Sequence, residues 1–153
     1  MKANELRIGN YIKFPYRNDP LPVASIERIE QDGGDYEYYA TNFVDNFPRH
    51  ISMLSPIPLT PELLERCGFD GNPNTMKGAS LEIKDHERVF KSISIYYNND
   101  TAENQYYLFM REGAKDEPRT NDGVVLLMRN LQYQHQIQNI YHANTGNELD
   151  VKM

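Results

Sequence analysis

Histidine can bind a metal ion or transfer a proton, and it occurs four times in this chain. Two of these residues, His135 and His142, lie in one segment, HQIQNIYHANTG, at residues 135–146. On a helix their Cα atoms would be about 10.5 Å apart along the axis, whereas zinc-binding helices use histidines four residues apart. The spacing therefore predicts no metal site for this pair, and no other motif indicates a cofactor.

A second group of ionisable side chains occurs in EIKDHER, residues 82–88. Asp85, His86 and Glu87 could supply an acid, a base and an orienting partner for proton transfer. The same residue types are typical of an exposed hairpin loop, and this is the interpretation we favour. An enzyme with a site built from His86, Asp85 and a C-terminal histidine is the less favoured alternative, so no catalytic residue is predicted.

The composition predicts a folded cytoplasmic domain with no membrane span. Hydrophobic residues make up 39% of the 153 residues, and 11 tyrosines and 6 phenylalanines can fill a core. The single cysteine, Cys67, cannot form an intrachain disulfide and is expected to be buried and unreactive. The start MKANELRIGN has no apolar stretch typical of a signal peptide, so none is expected, and no run approaches the about 20 apolar residues of a membrane helix. The net charge of −6 disfavours generic nucleic-acid binding.

Residues 1–57 are predicted to form an SH3-like antiparallel β-barrel or curled sheet. Gly9 and Asn10 form a tight bend in LRIGNYI, and the spacing of Leu6, Gly9 and Ile12 is similar to the start of small SH3-like barrels. An ordinary turn in another β arrangement explains this spacing equally well. Loops rich in Pro, Gly, Asn and Asp separate the four strand-like runs, which are residues 6–14, 21–29, 36–44 and 51–59.

Residues 58–153 are predicted to form an α+β subdomain. Thr60 can cap a short linking helix that starts at Pro61 and stops at Gly68. A second helix is expected at residues 131–145, with Asn130 as its N-cap, and it would cover one face of a second antiparallel sheet. The whole chain is then one cooperative α+β unit. The predicted strands of the second sheet are residues 79–84, 89–97, 105–112 and 123–130.

The two faces of the C-terminal helix differ in character. The apolar flank is expected to face the core, and it consists of Tyr133, Ile137, Ile140 and Tyr141. His135, Gln138 and His142 fall on the opposite flank, which we expect at the surface or hydrogen-bonded to a sheet. The amide side chains of this segment could pair with strand edges or with a partner, or could simply be solvated.

The segment HQIQNIYHANTGNEL, residues 135–149, resembles the C-terminal signature of a family of uncharacterised small proteins from Bacteroidetes genomes, prophages and mobile elements. LRIGNYI and IPLTPELLERCGF resemble the N-terminal and middle segments of the same family, in the same order. The resemblance implies a cytoplasmic accessory protein of a phage or mobile element, and it supplies no catalytic residues. The chain differs from the family at His142 and Asn144, where the family has apolar residues.

Three tyrosine doublets suggest how such a protein could bind a partner: 38–39, 96–97 and 106–107. Successive side chains of a strand face opposite sides, so one ring of each doublet should be core and the other exposed. Exposed tyrosines are good anchors for protein contacts. We therefore predict a non-enzymatic protein that binds a protein partner, with no oligomeric state assigned. The candidate partner-binding residues are Tyr39, Tyr97, Tyr107, His135, Gln138 and His142.

Nucleic-acid binding is the main alternative function. A small β-barrel with exposed aromatic rings can stack unpaired bases, and nearby cations can contact phosphates. Here the candidate cations are Arg7, Lys13, Arg17 and Arg28. This alternative requires those side chains to gather on one face in spite of the negative net charge.

Overall fold

The chain has an α+β fold with two antiparallel sheets, one of four strands and one of five. The structure is a computed structural model that describes residues 5–13, 23–40, 49–83, 89–97, 105–114 and 123–152. Two compact units are present. The first contains Met1–Pro58 and Tyr133–Glu148, and the second contains Leu59–Gln132 and Leu149–Met153.

The sheet of the first unit has four strands that pair in chain order: β1 (Tyr11–Lys13), β2 (Val23–Asp32), β3 (Asp35–Ala40) and β4 (Arg49–His50). Gly33 and Gly34 connect β2 to β3, and both have positive φ. A two-residue hairpin turn needs this conformation, which glycine adopts without steric cost. A turn does occur within the predicted loop EQDGGD, but it consists of Gly33 and Gly34 alone, and the other four residues belong to the paired strands.

The strand predicted at residues 51–59 differs from the structure. Residues Ile51–Met53 form a 3-10 helix, and Ser55 then makes an isolated bridge to Lys13. The two backbone hydrogen bonds of this bridge are both 2.8 Å long. In the described residues no strand joins β1 to β4, so the sheet is not closed into a barrel. The core of this unit consists of Leu6, Ile12, Ile26, Tyr38 and Leu54.

The sheet of the second unit also follows chain order: β5 (Asp70–Asn72), β6 (Gly78–Ile83), β7 (Val89–Tyr97), β8 (Tyr106–Ala114) and β9 (Gly123–Leu131). Helix α1 (Pro61–Arg66) precedes it and begins as predicted, because the Thr60 side chain accepts a hydrogen bond from the Leu63 N–H at 3.2 Å. The sequence did not predict β5. This strand has three residues, none of them hydrophobic, so it shows no hydrophobic alternation.

Helix α2 (Gln134–Thr145) starts later than predicted and groups with the first unit. We expected Asn130 to be its N-cap and the helix to cover the second sheet. Instead, Asn130 belongs to β9, and the backbone of Tyr133 and Gln134 pairs with residues 57–58. The N-cap is Tyr133, and Gly146 ends the helix with a φ of +73°, as expected for a C-terminal glycine.

None of the helices in the described residues has the length and apolar character that crossing a membrane requires.

Candidate functional site

Gln138, a predicted partner-binding residue, is only 1% exposed and is used inside the first unit. Its Oε1 accepts the Tyr11 N–H at 3.0 Å, and its Nε2 donates to the Gly9 carbonyl at 3.1 Å. The two ends of one amide thus replace a strand neighbour for the bend before β1. Gln138 is therefore a structural residue of the α2 interface with that bend.

The side-chain amides of Asn10 and Asn139 complete the contact between α2 and the bend before β1. We call the set of Asn10, Gln138 and Asn139 the amide network. Asn10 is fully buried, and its Nδ2 donates to Asn139 Oδ1 at 2.8 Å. Its Oδ1 accepts the Arg7 N–H at 2.9 Å, and Asn139 Nδ2 donates to the Glu5 carbonyl at 2.7 Å. Buried amides need such partners, and here each of them has one.

Glu148 joins the same bend from the segment after α2. Its carboxylate accepts two hydrogen bonds from the Arg7 guanidinium, at 2.6 and 2.9 Å, and these bonds hold the pKa of Glu148 below its usual range. A Cβ added at Gly9 would lie 2.8 Å from this carboxylate. The predicted site residue His142 is half-exposed, and its Nε2 lies 3.8 Å from Glu148 Oε1. Residues of the N-terminal signature segment LRIGNYI therefore contact residues of the C-terminal signature segment HQIQNIYHANTGNEL.

His135 is fully buried, whereas we expected it either at the surface or hydrogen-bonded to a sheet. Its ring stacks on Tyr133, with centroids 5.8 Å apart and planes 11° apart. In the described part of the chain neither ring nitrogen has a hydrogen-bond partner. Burial lowers the pKa of His135 from 6.5 to about 4, so the ring is neutral at physiological pH.

Tyr39 lies on the outer side of the first sheet, as predicted, because Tyr38 of the same doublet is fully buried. The Arg28 guanidinium lies 3.8 Å from the centroid of the Tyr39 ring. Glu30 contacts both residues: its carboxylate accepts from Tyr39 Oη at 3.2 Å and pairs with Arg28 Nε at 3.1 Å. Tyr39 is thus held in a cation–π and ion-pair cluster on its own sheet.

The doublets of β7 and β8 are placed by strand register. Tyr96 pairs with Tyr107, and Tyr97 pairs with Tyr106. Directly opposed residues of antiparallel strands project to the same face. Tyr106 is 4% exposed, so Tyr97 shares the core face and contacts its ring at 5.9 Å. We predicted Tyr97 as the outer ring of its doublet, whereas the register gives that place to Tyr96. Tyr107 lies on the outer face as predicted.

The outer face of the second sheet carries a cluster that we call the aromatic face, formed by Tyr96, Tyr107, Phe109, Arg111 and Val124. The Phe109 ring contacts both tyrosines, with centroids 5.8 Å from Tyr96 and 6.1 Å from Tyr107. A shallow pocket of about 300 Å³ opens between these strands and is lined by every member of the cluster except Tyr107. The rings are partly exposed, and Val124 is 53% exposed.

Arg111 gives this face its charge. It is exposed, and within the described residues it makes no ion pair. On the opposite face of the same strands, Lys91 is paired with Glu112 at 3.7 Å. The aromatic face therefore combines three aromatic rings with one cation that has no acidic partner among the described residues.

Sequence reasoning identified Tyr107 but missed Tyr96, Phe109 and Arg111. All four follow a two-residue alternation in QYYLFMRE and SISIYY, so they share a face once the two strands are aligned. The alternation was visible in the sequence. The register that brings Tyr96 opposite Tyr107 was not, because it depends on long-range pairing.

Asp85, His86 and Glu87, the residues of the less favoured enzymatic alternative, lie outside the described residues. So does Arg17, one of the four candidate phosphate contacts. Burial raises the pKa of Cys67 to about 11, so its thiolate, the reactive form, is scarce at neutral pH. Among the described residues no group of three or more His, Cys, Asp or Glu side chains could hold a metal ion.

No protein-family model, curated protein or solved structure matches this chain.

Proposed function

We propose that this chain is a non-enzymatic protein-binding module and that a protein partner binds its aromatic face. One observation carries the proposal: the Phe109 ring contacts those of Tyr96 and Tyr107, and all three remain partly exposed beside Arg111, whose charge has no partner in the described chain. Aromatic residues and arginine are the side chains most often found at the energetic centre of protein interfaces.

The aromatic face also suits binding because its side chains are already ordered before a partner binds. The Tyr96 and Phe109 rings meet nearly edge to face, at 76°, which is a favourable geometry for aromatic pairs. Side chains fixed in this way lose little conformational entropy when a partner covers them. An exposed arginine at the rim then supplies orientation and partner selection more than raw affinity.

The resemblance to small proteins of prophages and mobile elements supports an accessory role in such a system, in the cytoplasm. It supplies no partner, because the family has no assigned activity. The first unit is proposed to be SH3-like. The chain order of its four strands and the return of Ser55 to β1 support this assignment. Of the predicted partner-binding residues, Tyr107 is the one we retain in this proposal.

Nucleic-acid binding is less favoured by the charges of the first unit. Arg7 is neutralised by Glu148, and Arg28 by Glu30, so two of the four predicted phosphate contacts already have acidic partners. A phosphate would have to displace a carboxylate at each of them. This alternative is an outcome of the experiment below.

The test is affinity capture with a tagged chain, comparing wild type with the double variant Tyr107→Ala, Phe109→Ala. We expect the double variant to lose captured protein at least about tenfold, because it removes two of the three rings. Tyr36→Ala is the matched control, since Tyr36 is 42% exposed but lies on β3 of the other unit. Thermal melting of each variant should confirm that the fold is kept.

Half of each sample is treated with nuclease before capture. A partner that the double variant loses and Tyr36→Ala retains, with or without nuclease, supports the proposal. Equal capture by all three chains would contradict it. Capture that disappears with nuclease would instead support the nucleic-acid alternative.

A further inference from the structure

Among the strands that the structure describes, β9 is an edge of the second sheet and pairs with β8 alone. It is nine residues long, whereas the strand at the opposite edge, β5, has three residues. Within the described residues no backbone hydrogen bond outside the sheet involves Gly123–Leu131. An edge strand presents a row of unpaired N–H and C=O groups, and these are the groups that pair with an added strand.

The two halves of β9 differ in how well they could accept such a strand. From Gly123 to Leu126 the pairing with β8 is regular. Beyond Leu126 the register shifts twice, which indicates irregularities that twist an edge and discourage pairing. The regular half has no charge to protect it, and Val124 and Val125 are 53% and 60% exposed. The available edge is therefore Gly123–Leu126.

The aromatic face adjoins this half of the edge. Arg111 is directly opposite Val124, and Phe109 is directly opposite Leu126, so these four side chains share the outer face. A strand added beside β9 would lie two strand spacings, about 10 Å, from β8. An arginine and a glutamate or aspartate can bridge that distance across Val124. The position two residues along the added strand would lie beside Leu126 and Phe109.

We propose that the partner adds an extended strand to the edge Gly123–Leu126 and places an acidic side chain against Arg111, with an apolar side chain two residues away. This inference rests on the proposed function and names the chemistry of the partner at the same face. Backbone pairing provides the docking, and charge complementarity at Arg111 selects the sequence.

A second copy of this chain fits the edge less well. The sequence of β9, GVVLLMRNL, contains an arginine and no acidic residue. Two β9 strands paired with each other would leave Arg111 of both copies without a carboxylate. The charge therefore favours a different protein segment over self-association.

The experiment is selection of a displayed library of random ten-residue peptides on the immobilised full chain. We expect the enriched peptides to contain an acidic residue with an apolar residue two positions away, and to lack proline between them. On the Arg111→Glu chain the same selection should favour Lys or Arg at the acidic position. Arg129→Glu, a charge reversal on the irregular half of β9, is the matched control and should select the wild-type set. No enrichment, or the same peptides on Arg111→Glu, would overturn the proposal.

The edge itself is tested with the best enriched peptide. Its carbonyl groups should accept the edge-facing N–H groups of Gly123–Leu126 and protect them from hydrogen exchange, and N-methylation of alternate peptide amides should weaken binding at least about tenfold. Val124→Pro and Val125→Pro are both made, because the N–H of one of them faces β8 and the other faces the open edge. The variant that keeps the native melting temperature should lose the peptide. Unchanged binding would exclude strand addition.

Two outcomes separate this inference from the proposed function. If peptide binding requires Tyr107 and Phe109 but persists in the folded proline variant, the aromatic face is the binding site and strand addition at the β9 edge is excluded. A chain that is dimeric by light scattering, and monomeric as the folded proline variant, would show that β9 accepts a second copy and would overturn the proposed partner.

Discussion

At the scale of single residues, His135 shows how burial changes the role of a side chain. By type it is a possible base or metal ligand, yet it is fully buried and stacked on Tyr133. A neutral ring in this position acts as an aromatic packing group. Its two ring nitrogens make no hydrogen bond in the described residues, so the imidazole brings no polar contact that a phenyl ring would lose.

The pKa of His135 predicts a specific loss of stability in acid. The folded pKa is about 4 and the ordinary value is 6.5, so the unfolded chain binds the proton more tightly. The neutral ring contributes fully to the free energy of unfolding above pH 6.5. As the pH falls from 6.5 to 4, protonation of the unfolded chain lowers that free energy by on the order of 3 kcal/mol. Urea unfolding of wild type and His135→Phe at pH 8, 6 and 4 measures it. The variant should match wild type at pH 8 and lose correspondingly less at pH 4, and parallel pH profiles would contradict the assignment.

At the scale of elements, α2 is held to the bend before β1 by its polar side. The amide network satisfies backbone groups that a neighbouring strand would otherwise pair, including the Tyr11 N–H and the Gly9 carbonyl. The helix thus functions as a substitute strand edge for these residues. This arrangement gives the amides of the signature segment a structural reason.

Gln138→Ala should lower the free energy of unfolding by about 2 kcal/mol, because it leaves a backbone donor and acceptor without their partner. Asn144→Ala is the matched control. In the part of the chain that the structure describes, its exposed amide bonds to the Ile140 carbonyl of the same helix alone, so a change within about 0.5 kcal/mol is expected. Chemical denaturation with a fold check by circular dichroism gives both values. Equal effects for the two variants would mean that the network adds no stability.

The elements differ in how far the sequence could predict them. Helix α1 obeys local rules, since Thr60, Pro61 and Gly68 mark its ends, and it was predicted from them. The orientation of α2 was not, because its buried side contains Gln134, His135 and Gln138, which a hydrophobicity pattern assigns to solvent. Their burial depends on partners that lie far away in sequence. The same holds for the aromatic face. The two-residue alternation of its side chains can be seen in the sequence, whereas the strand register that aligns them cannot.

At the scale of the whole molecule, each compact unit is built from two separate parts of the chain. The first unit needs residues 133–148 in addition to its N-terminal strands, and the second needs residues 149–153 in addition to residues 59–132. Leu149 and Val151 are buried, and the Lys152 N–H donates to the Arg66 carbonyl at 3.0 Å. We predicted two consecutive subdomains, residues 1–57 and 58–153. The compact units instead each combine two segments that are separate in the sequence.

A chain that stops after Gln132 should therefore lose the folded first unit, because the amide partners of Asn10 and Tyr11 are absent. A chain that stops after Glu148 keeps α2 and is the control. In ¹H–¹⁵N correlation spectra, the peaks of residues 5–13 and 23–40 should collapse to unfolded positions in the shorter chain and persist in the longer one. Native peaks for these residues in the shorter chain would show that the strands fold without α2.

The distance in sequence between these partners also sets an order of events during synthesis. Asn10 and Tyr11 are translated 129 and 127 positions before the side chains that bind them. At roughly 5 to 20 residues per second, the wait is on the order of ten seconds on the ribosome. The strands that are made first thus belong to a unit that is completed only when residues 133–148 have been made, and in that interval their polar backbone is available to chaperones.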